Sequence, residues 1–112
     1  MQISVSQQDG VAIVALAGSL DALTADALTD AMREQVRAGQ TRFVAALAEL
    51  EYTSSAGLRV LLETVKEARR RGGDLRLAAV QGRVQRVLDL SGFTSILKCF
   101  PDVPGAVASF AP

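Results

Sequence analysis

Alternation opens the chain. Ile3 and Val5 are flanked by polar residues, Asp9-Gly10 interrupts, and Val11 to Leu16 then form an apolar run with no polar alternation. Alternating residues suit a strand with one wet face, a continuous run suits a buried strand, and Asp-Gly between them is a strong two-residue hairpin signal. The pattern predicts an edge strand paired with a buried one. The period then changes: Ala25, Leu28, Met32 and Val36 recur at helical spacing after Gly18-Ser19-Leu20-Asp21 and before Gly39. Asp21 or Thr24 suits the cap of this helix. Phe43 to Leu47 is the next apolar run, so a helix links two strands, a crossover expected to be right-handed with parallel pairing.

A second helical stripe follows at Leu58, Leu61, Leu62, Val65 and Ala68, with Arg59, Glu63, Lys66, Glu67 and Arg70 on its outer side. Arg69, Arg70 and Arg71 fall in the last turn, where cations complement the helix dipole, and Gly72-Gly73 supplies a left-handed stop. Asp74 to Val80 reads as a fourth strand, and Val84, Val87 and Leu88 mark a short helix ended by Gly92. A short strand around Leu97 to Phe100 and a helix from Val103 to Phe110 complete the series. The predicted order is β-β-α-β-α-β-α, then a short strand and a C-terminal helix. This is an α/β domain, with helices packed on a mixed sheet of four to five strands.

Composition narrows what such a domain can do. A chain of 112 residues is expected to form one domain, 1–112, large enough for a real core and too small for a substrate domain beside a cofactor domain. No apolar stretch is long enough to span a membrane and no secretory signal opens the chain, so a cytoplasmic location is expected. The absence of histidine removes the commonest general base and metal ligand, and the single cysteine, Cys99, excludes an internal disulfide. Cys99 lies in an apolar stretch and reads as buried filler rather than a reactive thiol. No cofactor or metal is expected. A net charge of zero and few aromatic residues argue against nucleic-acid binding. The charges are uneven, however: residues 1–56 carry −4 and residues 57–112 carry +4, an asymmetry that can guide a protein partner's approach.

The candidate chemistry is concentrated in Tyr52-Thr53-Ser54-Ser55-Ala56-Gly57-Leu58, where hydroxyls stand at the start of the second helix. Ser54 or Ser55 is an N-cap or first-turn residue, near backbone N–H groups that lack intrahelical partners. Capping alone accounts for such serines. Regulatory phosphorylation is the sharper reading, because a helix N-terminus tolerates an added anion better than most places in a fold. A nucleophilic serine is the weakest reading, since the chain has neither a histidine base nor a Gly-x-Ser-x-Gly elbow.

Three segments together resemble the STAS domain family, in particular the bacterial anti-sigma factor antagonists: Leu16 to Asp21 after the second strand, Tyr52 to Leu62 at the corner, and Val84 to Phe93. The match spans nearly the whole chain. The family's corner usually reads Asp-Ser-Ser/Thr-Gly-Leu, and its first serine is the one phosphorylated. Aligned on Gly57, that residue is Ser55, with Ser54 at the Asp position and as the alternative acceptor; Ala46 replaces an Asp often found in the preceding strand. The resemblance implies a non-enzymatic switch, whose unphosphorylated form binds a GHKL-type serine kinase that is itself an anti-sigma factor. Phosphorylation at Ser55 would release it and a PP2C-type phosphatase would reset it. The partner-facing residues implied are Asp21, Ser54, Ser55, Ala56, Gly57, Leu58 and Arg59, although Asp21 also reads as only a helix cap. Within the same fold, the alternative is a constitutive adaptor for an ABC-transporter ATPase or signalling scaffold, with no phosphorylation cycle.

Overall fold

Asp9 and Gly10 both take positive φ, 53° and 79°, the backbone signature of the tight turn whose twist matches that of the strands it joins. In the computed structural model, which describes residues 1–111, this turn connects β1 (Gln2–Gln8) to β2 (Val11–Leu20). The last residue of the expected 1–112 domain lies outside the described residues. The two strands pair antiparallel from Gln2↔Ala17 to Gln8↔Val11. From β2 onward the chain alternates: α1 (Ala25–Arg37), β3 (Arg42–Thr53), α2 (Ser55–Arg70), β4 (Asp74–Ala78), α3 (Gly82–Leu90), a 3-10 turn (Phe93–Ser95), β5 (Cys99–Phe100) and α4 (Val103–Ala108). The five strands lie side by side in chain order, with β2 to β5 parallel. The mixed sheet expected from the apolar pattern is therefore present.

Pairing sends residues of one parity to one face. Val14 and Leu16 of β2, Phe43 and Ala45 of β3, and Leu75 and Leu77 of β4 pack against Leu28 and Met32 of α1, Leu58, Leu61 and Val65 of α2, and Val84 and Leu88 of α3. The opposite parity sends Val11, Val44 and Ala78 to the other face, where Ala106 and Val107 of α4 cover them. Three helices thus lie on one side and one on the other. Burial of this many large aliphatic side chains, at roughly 1.5–3 kcal/mol each, is the main force holding the layers together. The connection from α2 to β4 passes so close to Thr41 that a Cβ on Gly73 would stand 1.7 Å from the Thr41 carbonyl oxygen. Only glycine fits there.

Several expected element ends, and the reading of Cys99, need correction: β2 runs on to Leu20 rather than ending at Leu16, and β4 stops at Ala78 rather than Val80. β3 does not end near Leu47 but runs on to Thr53, paired with β2 as far as Leu20↔Thr53. Register shifts between Ala15 and Ala17 and between Gly18 and Ser19 interrupt the two-residue alternation, so the second half of β3 shows no clean apolar signal. The last elements are shorter than expected, with β5 limited to Cys99–Phe100 and α4 ending at Ala108. Cys99 is exposed rather than buried filler, because β5 is an edge strand. Its thiol is still no ready nucleophile, since partial desolvation, and secondarily the Asp89 carboxylate, push its pKa up.

The last-turn arginines of α2 also do more than solvate a helix end. Asp74 is buried, and its Oδ1 accepts hydrogen bonds from Arg69 Nε and from the Leu75 backbone N–H, both at 2.9 Å. Its Oδ2 accepts from Arg76 Nε at 3.1 Å. Arg76 continues to Ser109 Oγ at 2.6 Å and lies 4.0 Å from the centre of the Phe110 ring, while Arg69 Nη2 donates to the Ile96 carbonyl at 2.7 Å. One carboxylate therefore ties α2, β4 and the C-terminal segment together. Arg70 and Arg71 instead pair with Glu67, and the Arg71 hydrogen bond holds the Glu67 carboxyl below its ordinary range. Removing the shared anion strands Arg76, only 14% exposed, without its partner. Asp74→Ala is expected to lower stability by about 2–4 kcal/mol, read as a lower urea midpoint with an unchanged m-value.

Candidate functional site

Because β2 and β3 are parallel, their carboxyl ends finish together, and the chain turns out of the sheet twice at the same rim. The Ser54 N–H donates to the Leu20 carbonyl at 2.8 Å, joining the two exits. Ser54 has extended backbone angles (φ −91°, ψ 174°), and its Oγ accepts from the Gly57 N–H at 3.3 Å. It is the N-cap of α2. Ser55 is the first helical residue and is exposed, whereas Ser54 is half-buried. The two serines, whose capping roles the residue pattern left open, are thus separated: the Ser54 hydroxyl is spent on the cap, and Ser55 is exposed.

Gly57 is buried one turn further on. A Cβ there would lie 2.5 Å from Leu20 Cγ and 2.7 Å from Thr53 Oγ1, so the glycine lets the helix start press directly on the ends of both strands. Leu58, 4% exposed, anchors the same turn in the core; Ala56 is half-buried and Arg59 points outward. Asp21 begins the other exit. Its Oδ1 accepts from the Leu23 and Thr24 N–H groups at 3.0 and 3.1 Å, and Thr24 Oγ1 accepts from the Asp21 N–H at 2.9 Å and donates to the Ser19 carbonyl at 3.1 Å. This reciprocal arrangement closes the turn that leads into α1, whose own N-cap residue, Thr24, makes no side-chain cap hydrogen bond to the helix. Asp21 therefore braces the turn before α1 rather than capping the helix itself, and it is also a rim residue, one step from the Leu20 carbonyl that holds Ser54.

The structure brings Asp21, Ser54, Ser55, Ala56, Gly57, Leu58 and Arg59 into one corner, though Gly57 and Leu58 support it from beneath rather than lining its surface. Ala46 is not part of it. That residue pairs with Ala15 and Ala78 in mid-strand, on the sheet face shared by Val44, which lies under α4. Sequence reasoning passed over Leu23, which stands 92% exposed on the turn before α1. The available signal was its phase, out of step with the buried stripe Ala25, Leu28 and Met32. Among the described residues no group of three or more His, Cys, Asp and Glu side chains is placed to hold a metal, and no helix is long and apolar enough to cross a membrane.

The STAS domain model matches residues 2–106. The chain belongs to the STAS domain family. This STAS domain is 36% identical over 110 residues to BtrV of Bordetella bronchiseptica, named as a candidate anti-sigma factor antagonist, with 98% of this chain and 95% of that one covered. It is 32% identical over 108 residues to the anti-sigma F factor antagonist of Paenibacillus polymyxa, covering 96% and 92%. In three dimensions it superposes on a candidate anti-sigma factor antagonist of Thermotoga maritima with a TM-score of 0.93, covering 98% and 95% at 21% identity, which shows a common fold.

Two substitutions test how the STAS corner is built. Ser54→Ala removes the cap and is expected to cost about 1 kcal/mol. Gly57→Ala gains about 1 kcal/mol of helix propensity but forces a methyl into Leu20 and Thr53, a strain of about 1–3 kcal/mol. A net loss of up to about 2 kcal/mol is expected by thermal or urea denaturation; a Gly57→Ala protein more stable than wild type would show that the close contact is not tight.

Proposed function

We propose that this STAS domain is an anti-sigma factor antagonist acting as a non-enzymatic switch in the cytoplasm. Its unphosphorylated form binds a GHKL-type serine kinase that is also the anti-sigma factor, phosphorylation at Ser55 ends the complex, and a PP2C-type phosphatase restores it. The observation that carries this reading is the division of labour at the corner. Ser54 uses its hydroxyl on the Gly57 N–H, while Ser55 is exposed as the first helical residue. The names of the relatives at 36% and 32% identity support the same reading.

The physical consequences fit a switch. A phosphoserine adds about −1.5 to −2 charges. At the first helical position it sits beside free backbone N–H groups and the positive end of the helix dipole, so the fold tolerates it. On a docking surface the same group brings bulk and a desolvation cost that a closely packed partner has to meet. Phosphorylation thus changes what the rim binds without unfolding what holds it. Ser54, the alternative acceptor, would lose its cap on modification.

The test is to incubate the protein, Ser54→Ala and Ser55→Ala with ATP and the GHKL-type kinase, then read intact mass and the phosphopeptide spanning the corner. One phosphoryl group is expected on wild type and on Ser54→Ala, and none on Ser55→Ala. Kinase affinity is expected to fall at least tenfold for the phosphorylated form. Binding without any phosphoryl transfer would replace the switch with a constitutive adaptor.

A further inference from the structure

We propose that β1 is a self-association edge, along which a second copy of this chain adds antiparallel and joins the two sheets into one. None of the corner residues takes part, and nothing in this pairing depends on the switch reading above. A free strand edge is a row of unpaired N–H and C=O groups, which proteins ordinarily blunt by shortness, lysine, proline, a bulge or a covering element. The two edges of this sheet differ in that respect. β5 is two residues long and is bracketed by Lys98 and Pro101. β1 is seven residues long, reads Gln-Ile-Ser-Val-Ser-Gln-Gln, and carries neither a charge nor a proline. It pairs with β2 in a single unbroken register from Gln2↔Ala17 to Gln8↔Val11. Every position but Ile3 is exposed, so the edge is open to approach.

The hairpin fixes which backbone groups are free. Gln8 and Val11 flank the two-residue turn and form its closing hydrogen-bonded pair. Counting back in twos, Gln8, Ser6, Ser4 and Gln2 direct their N–H and C=O groups toward β2, while Gln7, Val5 and Ile3 direct theirs outward. A two-fold axis at Val5 then sets Val5 against Val5 of the second copy, Ser4 against Ser6, Ile3 against Gln7 and Gln2 against Gln8. Hydroxyl meets hydroxyl, amide meets amide, and the 39%-exposed Val5 meets itself. The outward groups of Ile3, Val5 and Gln7 exchange hydrogen bonds with those of the second copy. With no charge in the strand and a net charge of zero on the chain, neither local nor overall repulsion opposes the pairing. The axis reverses strand direction, so the two Ser55 corners, at the carboxyl ends of β2 and β3, come to lie at opposite ends of the joined sheet. One strand pair buries little area, so the dimer is a weak one.

Sedimentation velocity from about 10 µM to about 1 mM protein, a range suited to a weak interface, is combined with amide hydrogen exchange by NMR at both concentrations. Wild type is expected to pass from the mass of one chain toward that of two. Exchange at Ile3, Val5 and Gln7 is expected to slow several-fold as it does so, while Ser4 and Ser6, already bonded to β2, stay unchanged. Val5→Pro removes the central donor, a change an edge strand tolerates where its N–H faces outward, and Val5→Lys places like charges at the axis; each is expected to weaken association at least about tenfold. The melting temperature of the dilute protein is expected to stay the same, and Val5→Lys decides the matter if Val5→Pro fails to fold. A single chain at every concentration overturns the proposal. So does a dimer that Val5→Lys leaves intact, or one that leaves the Ile3, Val5 and Gln7 amides unprotected, because another surface is then joined.

Discussion

The arrangement of the corner depends on one close contact, the seat of Gly57 against Leu20 and Thr53. β2 and β3 end in register at Leu20↔Thr53, and α2 begins two residues later. A helix leaving a sheet that abruptly must lay its first turn on the strand ends, and any Cβ at Gly57 would enter space held by Leu20 Cγ at 2.5 Å. The glycine costs about 1 kcal/mol of helix propensity. That is no more than the strain of about 1–3 kcal/mol that the clash would bring. With the contact in place, the Ser54 N–H reaches the Leu20 carbonyl, its hydroxyl caps the helix, and Ser55 is left at the surface. The Asp21 turn inherits its position from the same leucine.

The elements read most directly from the sequence were those whose period is unbroken. The Asp9-Gly10 hairpin, the stripes of α1 and α2 and the strand at β4 follow from local signals that tertiary packing reinforces. The second half of β3 was not legible, because two register shifts place exposed Ala48, Glu49, Glu51 and Tyr52 in a segment that is still hydrogen-bonded to β2. Cys99 was misread for a related reason: an apolar neighbourhood indicates a strand but not whether that strand lies at an edge. At the corner, the residue types identified the motif, but the spacing could not say which serine caps. That was settled by backbone angles at Ser54, a property of how the strand meets the helix.

Charge follows the same distinction between pattern and geometry. The −4 and +4 halves suggest a strong field along the molecule, yet part of the basic excess is engaged locally. Arg69 and Arg76 converge on buried Asp74, while Arg70 and Arg71 share Glu67. The two sets differ in weight. The pairs on Glu67 are exposed enough for solvent to screen them, so each contributes little to stability. The Asp74 cluster is shielded and joins elements distant in sequence, and it therefore acts as a fastener between the C-terminal segment and the sheet.

In the proposed switch, the same phosphate has opposite consequences for folding and for docking, and the magnitudes explain why one protein can tolerate both. An anion at the start of α2 gains about 0.3–1 kcal/mol from the helix dipole when exposed. Burying that anion against a partner carries a penalty of several kcal/mol unless new donors replace the lost water. Stability therefore changes little while affinity changes much. The selectivity arises because Ser54 carries the capping role and leaves Ser55 free to be modified. Had one hydroxyl served both purposes, each phosphorylation would have removed the cap that positions the corner, and the switch would have altered the scaffold along with the surface.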